Sequence, residues 1–251
     1  VEPATIVLES EPGARLVADH LHGEAPALVF LHGLTSVRVG EKSSILFAEA
    51  RHLGRAAWRF DFRGHGASSG ELATTTLGAL IADTRAVLEQ AGPAVLIGSS
   101  LGGLVAAWTA ARHPALVLGL SLLAPAFRFL PRLRAKLDPA GRLVLPHSGG
   151  VLEFSPRVLE DFEEHDEEEM ARAIRQPTQV FHGRLDDTVP VDASEEFLAR
   201  IGSARKELLV LGDGDHRLNR EFPALLRRAL TFHGLDRGCG RSAPASRDSA
   251  P

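Results

Sequence analysis

The chain reads as one α/β domain built on a mostly parallel sheet, and three observations lead there. Short apolar runs, of the kind buried on both faces of a parallel sheet, recur at residues 27–31, 95–97 and 116–123. Segments with helical spacing alternate with them, at 42–53, 74–91 and 101–111. Glycine-rich loops follow several of the runs: His32-Gly33, Gly98-Ser99-Ser100-Leu101-Gly102 and His182-Gly183.

The amount of chain fits one such unit. Its 251 residues are 44% hydrophobic and 24% charged, enough for one core with an insertion. A net charge of −4 argues against a nucleic-acid partner, which asks for a clustered basic surface. No apolar run approaches the ~20 residues of a membrane span. The start, Val1-Glu2-Pro3-Ala4, has neither the basic nor the apolar region of a signal peptide. The single cysteine, Cys239, precludes an intrachain disulfide and is compatible with the cytoplasm, where we expect the chain. The expected domain covers residues 1–235. Residues 236–251, rich in Gly, Ser, Pro, Arg and Ala, are expected to be a disordered tail.

In chain order, residues 6–9 and 15–21 are β-type runs around Glu11-Pro12-Gly13, an opening hairpin. Residues 27–31 form a buried strand ending in His32-Gly33-Leu34. If this strand neighbours 95–97, the amide of Leu34 supplies half of an oxyanion hole and that of Leu101 the other half. His32 is read as bracing this loop. Residues 55–60 return as a strand into Asp61-Phe62-Arg63-Gly64-His65-Gly66. There the glycines suggest a tight loop, with Asp61 and Arg63 fixing backbone groups.

Gly98-x-Ser100-x-Gly102 then joins a strand to a helix. Side chains at Gly98 and Gly102 would crowd so sharp a turn, which lifts the Ser100 hydroxyl clear of the sheet edge. Ser99 is expected to pack under it. Residues 126–175 lack strand alternation and hold Phe127, Phe129 and Leu130. They read as a small helical cap over the active-site end, with those three residues in an apolar acyl pocket. Its acidic stretch, 160–169, reads as a solvated helix face rather than a metal site. The sheet resumes at 178–181 and runs into Asp186-Asp187-Thr188-Val189-Pro190. A helix at 192–201 and a strand at 207–211 precede Asp215-His216. Asn219 is the expected N-cap of the closing helix.

Ser100, Asp186 and His216 thus follow three strands that share one sheet edge. A serine hydroxyl is a poor nucleophile until an imidazole accepts its proton, and a carboxylate holds that imidazole in the right tautomer.

These motifs resemble the α/β-hydrolase superfamily, matched over about residues 5–233. The resemblance implies the α/β-hydrolase fold and a nucleophile, acid and base in the order Ser100, Asp186, His216. The family's Asp-x-x-Val-Pro pattern selects Asp186 over Asp187. More narrowly, Gly98-Ser99-Ser100-Leu101-Gly102-Gly103 and Asp215-His216-Arg217-Leu218 resemble the mitochondrial α/β-hydrolase-domain thioesterases, which remove acyl groups from protein cysteines and acyl glucuronides. A common family elbow has His where this chain has Ser99.

The expected activity is cofactor- and metal-independent hydrolysis of a small-molecule ester or thioester with a short-to-medium acyl chain, by a monomer or homodimer. The same triad also serves carbon–carbon bond hydrolases and acyltransferases, and a silent fold can serve as a binding module.

Overall fold

The computed structural model describes residues 2–147 and 150–236. An eight-stranded sheet organises them. Its strands are β1 (Ala4–Glu11), β2 (Ala14–Leu21), β3 (Glu24–Leu31), β4 (Arg55–Phe60), β5 (Ala94–Ser99) and β6 (Val117–Leu123), then β9 (Thr178–Gly183) and β10 (Lys206–Leu211). Their spatial order is β1-β2-β4-β3-β5-β6-β9-β10. From β4 to β10 every neighbouring pair is parallel, and β2 alone runs against its neighbours.

The order reverses around β3. From β3 the chain crosses to β4 on one side and returns to lay β5 on the other. Connections leaving in opposite directions open a crevice beyond the carboxyl ends of β3 and β5. The loop at His32 and the turn at Ser100 both start there.

Helices cover both faces, and alternation along the strands decides what they bury. On one face Ala94 and Leu96 of β5 and Val29 of β3 pack with α2 (Leu77–Ala91) and α3 (Leu101–Arg112). On the other, Val95 and Ile97 with Leu28 and Phe30 pack with α1 (Glu41–Leu53) and α8 (Phe222–Phe232). Thr76 caps α2 by accepting a hydrogen bond from the Ala79 amide, 3.2 Å. The expected N-cap of α8 is corrected: α8 starts at Phe222 behind Glu221, with Pro223 in its first turn. Asn219 instead accepts a hydrogen bond from Lys42 and donates one to Glu41.

Between β6 and β9 lie α4 (Phe129–Arg134), α5 (Pro156–Glu163) and α6 (Glu167–Ala173). The expectation of a purely helical segment is also corrected, since β7 (Val144–His147) and β8 (Gly150–Glu153) pair as an antiparallel hairpin. Four-residue strands are too short to show alternation in the sequence. The acidic stretch is divided: Glu160, Glu163, Glu164 and Glu168 face arginines at the surface, whereas Asp161 is buried and binds the Gly78 amide at 3.1 Å. Helix α7 (Val191–Arg200) joins β9 to β10. Of the expected tail, residues 237–251 lie outside the described residues.

The junction of β3, β5 and α3 leaves no space for side chains. A Cβ on Gly102 would sit 2.2 Å from the Leu31 carbonyl oxygen, and one on Gly98 would sit 2.4 Å from that of Gly102. Backbone cannot yield as a side-chain tip can. Gly102→Ala is therefore expected to cost about 3 kcal/mol of stability, read as a lower urea midpoint. An unchanged midpoint would contradict this account of the junction.

Candidate active site

The turn after β5 holds Ser100 at φ 53°, ψ −116°, a left-handed conformation that a residue with a side chain adopts only under constraint. The constraint is visible. The Ser100 amide donates to the Leu123 carbonyl (2.9 Å), and its own carbonyl accepts from Gly103, Leu104 and Ala126 (2.9, 3.2 and 3.0 Å). The peptide is thus clamped to β6 and to the first turn of α3, and the hydroxyl projects into a cavity.

Asp186 and His216 arrive on the loops after β9 and β10. These loops touch through backbone: the Leu185 amide donates to the Gly214 carbonyl at 2.9 Å, and a Cβ on Gly183 would sit 2.2 Å from that oxygen. The Asp215 carboxylate accepts from the amides of Arg217 and Leu218 (2.9 and 2.8 Å), shaping the turn that presents His216. His216 Nδ1 lies 2.7 Å from Asp186 Oδ2, and Nε2 lies 3.0 Å from Ser100 Oγ.

The Asp186 carboxyl is buried yet held well below the usual carboxylate range. Burial acts to raise it, but hydrogen bonds from His182, His216 and the Val189 amide outweigh that. Its Oδ1 accepts from the Thr188 and Val189 amides, both at 2.8 Å. Asp186 therefore stays ionised with its acceptors filled, the state that orients an imidazole. Asp187, next to it, is exposed and bonds only the Thr188 hydroxyl among the described residues.

His182 is a member of this group that sequence reasoning missed. It is fully buried at the end of β9, with Nε2 3.2 Å from Asp186 Oδ2 and 2.9 Å from the Val189 carbonyl. Nδ1 faces the Ser194 hydroxyl at 2.8 Å. One tautomer satisfies all three partners: Nε2–H shared between the two oxygens, Nδ1 accepting from Ser194. Its place four residues before the acid was the available signal.

Leu34 and Leu101 both line the cavity. A Cβ on Gly33 would lie 3.4 Å from the Ser100 Cβ, which puts the loop after β3 directly against the turn. Leu101 opens α3, and the first amides of a helix have no partner inside it.

His32 braces this loop: Nδ1–H donates to the Gly33 carbonyl (2.8 Å) and Nε2 accepts from the Phe62 amide (3.2 Å). Asp61 accepts from the amides of Arg38 and Ala67 (2.6 and 3.0 Å), and Arg63 is paired with Asp83. Both fix structure away from Ser100.

Two neighbouring pockets, called here the wide and the narrow branch, share part of their walls. The wide branch, about 1230 Å³, holds Ser100, His216 and Ser99. Ser99 thus lines the cavity beside Ser100 rather than packing under the turn. The narrow branch, about 20 Å³, is walled by Leu80, Phe154, Val158 and Phe162 and shares Leu34, Leu101 and Phe129 with the wide one. The three expected pocket residues separate here. Phe129 lines both branches. Phe127 does not: it is buried and stacked on Phe197, ring centroids 4.1 Å apart. Leu130 does not either, packing against the main core instead. At the start of a short helix, successive residues diverge by about 100°, so one of three neighbouring apolar residues faces the cavity.

A family model described as "Alpha/beta hydrolase family" matches residues 28–247. The chain belongs to the alpha/beta hydrolase family. Among curated relatives, it is 28% identical over 219 residues to the mouse protein named palmitoyl-protein thioesterase ABHD10, mitochondrial, covering 82% of this chain and 74% of that one. The human protein of that name is 28% identical over 214 residues, covering 80% and 70%. The solved structure of mouse alpha/beta hydrolase domain-containing protein 10 superposes with a TM-score of 0.81 at 27% identity, covering 91% of this chain and 97% of that one. Est1E from Butyrivibrio proteoclasticus, solved with ferulic acid, shares the fold at a TM-score of 0.78 and 20% identity, covering 91% and 99%. The hydrolase fold places the Ser100, Asp186 and His216 loops at the carboxyl edge of one parallel sheet.

The brace at His32 has a measurable consequence. Burial and the neighbouring His65 push the His32 imidazole down to about 4, against the opposing pull of the Gly33 carbonyl and Asp61. The unfolded chain takes up this proton near pH 6.5 and the folded chain only near 4, so protons favour unfolding between those values. Stability present above pH 6.5 is lost as pH falls towards 4, by up to about 3 kcal/mol from this residue. Urea unfolding at pH 7 and pH 4.5 should show the loss, and His32→Gln should shrink it. An equal pH dependence in both proteins would reject the assignment.

Proposed function

We propose that the chain is a serine hydrolase of carboxylic esters or thioesters, working through an acyl-enzyme on Ser100. The observation that carries this reading is the continuous hydrogen-bonded line Ser100 Oγ–His216–Asp186, with spacings of 3.0 and 2.7 Å. The names of the curated relatives support it, since those proteins are called thioesterases.

Each step follows from the atoms in place. His216 Nε2 takes the Ser100 proton as Oγ bonds to the acyl carbon. The resulting imidazolium keeps its Nδ1–H on Asp186, whose charge offsets the new one. The tetrahedral oxyanion is held by the amides of Leu34 and Leu101, the second at the positive end of α3. Collapse breaks the bond to the alcohol or thiol, which leaves with the proton from His216. Water, deprotonated by the same imidazole, then attacks the acyl-enzyme and frees Ser100. Each oxyanion donor is worth roughly 3 kcal/mol of barrier.

The narrow branch shares Leu34 and Leu101 with the wide one and is walled by apolar side chains apart from His65 and Thr75, so we assign it the acyl group. At about 20 Å³ it has the room of about one water molecule, so any acyl chain enters by displacing its wall side chains, and short chains displace least.

Two measurements test this. Ser100→Ala should lower p-nitrophenyl acetate hydrolysis by at least ~10,000-fold and abolish fluorophosphonate labelling. Retained labelling would remove Ser100 as the nucleophile. Across an acetate-to-palmitate series, kcat/KM should peak at or below butyrate, and Phe129→Ala should move the peak to longer chains. A palmitate optimum in the unaltered protein would reject the narrow branch as the acyl site.

A further inference from the structure

The wide branch is larger than a short acyl ester needs, and none of the four cations lining it, Lys42, Arg132, Lys136 and Arg217, has an ion-pair partner among the described residues. Sites for drug-sized ligands usually occupy roughly 300–1,000 Å³, against about 1230 Å³ here. Arg132 enters from α4, Lys136 from just beyond it, and Lys42 from α1.

The neighbours of Arg132 show what is unusual about it. Arg128 pairs with Asp192 and Glu196, and Arg134 with Glu163. Arg132, the one of these three that lines the cavity, has no ion-pair partner among the described residues. Its guanidinium makes one long hydrogen bond, 3.4 Å to the Phe127 carbonyl, and lies 5.8 Å from the Phe129 ring centroid. Most of its five donors remain for a ligand. Lys42 is half-buried and bonded to the neutral side chain of Asn219. Burial pushes both cations below their ordinary values, against the pull of Asp186 and Glu167 on Arg132 and of Glu41 and Asp215 on Lys42, so an anion that reaches either one recovers energy that solvent does not supply.

Three carboxylates also line this branch against its four cations; neutral donors do not cancel a carboxylate's charge, and Glu41 and Asp215 act on Lys42 rather than on Arg132. Glu41 accepts from Asn219, Asp215 from two backbone amides, and Asp187 from Thr188. Since the narrow branch is apolar, the anion belongs to the leaving group. Several cations in a large cavity suit a multiply charged group better than a single carboxylate.

We propose that the wide branch binds a leaving thiol that carries phosphate, held by Arg132 and Lys42: a phosphorylated pantetheine thioester. The proposal rests on the ester or thioester reading above. Ser100 Oγ forms the bond to the acyl carbon, the carbon–sulfur bond breaks, and the phosphorylated thiolate leaves with the proton from His216.

The test compares butyryl-coenzyme A with butyryl-pantetheine, which keeps the acyl group and the pantetheine arm but carries no phosphate, and measures coenzyme A binding to Ser100→Ala by calorimetry. The expected result is a kcat/KM preference of tenfold or more for butyryl-coenzyme A, decreasing as salt is added. Arg132→Gln should lower that preference at least tenfold, chiefly through KM, with Arg132→Lys retaining part of it. Coenzyme A should bind Ser100→Ala, and more weakly once Arg132→Gln is added. Equal kcat/KM for the two thioesters and no coenzyme A binding would overturn the proposal while leaving the hydrolase reading in place. A preference for butyryl-thioglycolate, whose leaving group bears a carboxylate, would overturn it too. If neither thioester is cleaved and fluorophosphonate does not label Ser100, the hydrolase reading fails, and the binding measurement still decides the phosphate site.

Discussion

The closeness of backbone to backbone where β3, β5 and α3 meet is the constraint on which the site depends. Gly98 and Gly102 let the first turn of α3 lie against the Leu31 and His32 carbonyls. That contact brings the loop after β3 beside Ser100, so one geometric fact serves three purposes. It forces the left-handed Ser100 conformation, aims the hydroxyl outward, and sets Leu34 and Leu101 along the same cavity. The same device recurs where Gly183 meets Gly214. There it joins the acid-bearing and imidazole-bearing loops, and Ser100, Asp186 and His216 converge because strand ends are brought together without side chains between them.

Rigid placement also has an electrostatic side. Burying a carboxylate costs several kcal/mol unless it is paired or hydrogen-bonded, and this chain meets that requirement repeatedly around the site. Asp61, Asp83 and Asp186 each accept from backbone amides and from a cationic or imidazole side chain. In each case the carboxylate ties a loop to a distant element. Asp61 links the loop before α1 to that after β4, and Asp83 ties α2 to the latter. Buried His32 and His182 play the complementary part, each using both ring nitrogens on fixed partners. The loops around Ser100 are thus held by directional bonds as well as by packing.

Much of this was legible in the sequence. Apolar runs ending in glycine loops announce a parallel sheet with its loops at one edge, and Ser100, Asp186 and His216 sit in loops of that kind. The resemblance separated Asp186 from Asp187, which local residues alone could not do. The structure brings the former to His216 and leaves the latter exposed. What stayed hidden depends on direction within a short segment. Phe127, Phe129 and Leu130 are equally apolar, yet only Phe129 faces the cavity, because the left-handed Arg128 redirects the chain between Phe127 and the helix. The β7–β8 hairpin was invisible because strands of four residues carry no period. His182 was hidden because a histidine inside a strand looks like any other buried polar residue until its partners are placed.

The distribution of charge in the cap shows what this cavity is shaped to meet. At the surface the cap's arginines and glutamates neutralise one another, and such exposed pairs contribute little to stability. Glu167 differs. Burial pushes its carboxyl upward, against the pull of the Arg128 and Phe129 amides to which it is bonded at 2.7 and 3.3 Å. Those two amides open α4, so Glu167 fixes the angle at which this short helix leaves the sheet. The same helix carries Phe129 to the mouth of the apolar branch and Arg132 into the wide one. One buried carboxylate therefore sets both an apolar and a cationic contact with whatever lies on Ser100. On the proposed reading, a helix held this way makes the selection of acyl group and leaving group a single property of the cap, rather than two properties that could vary separately.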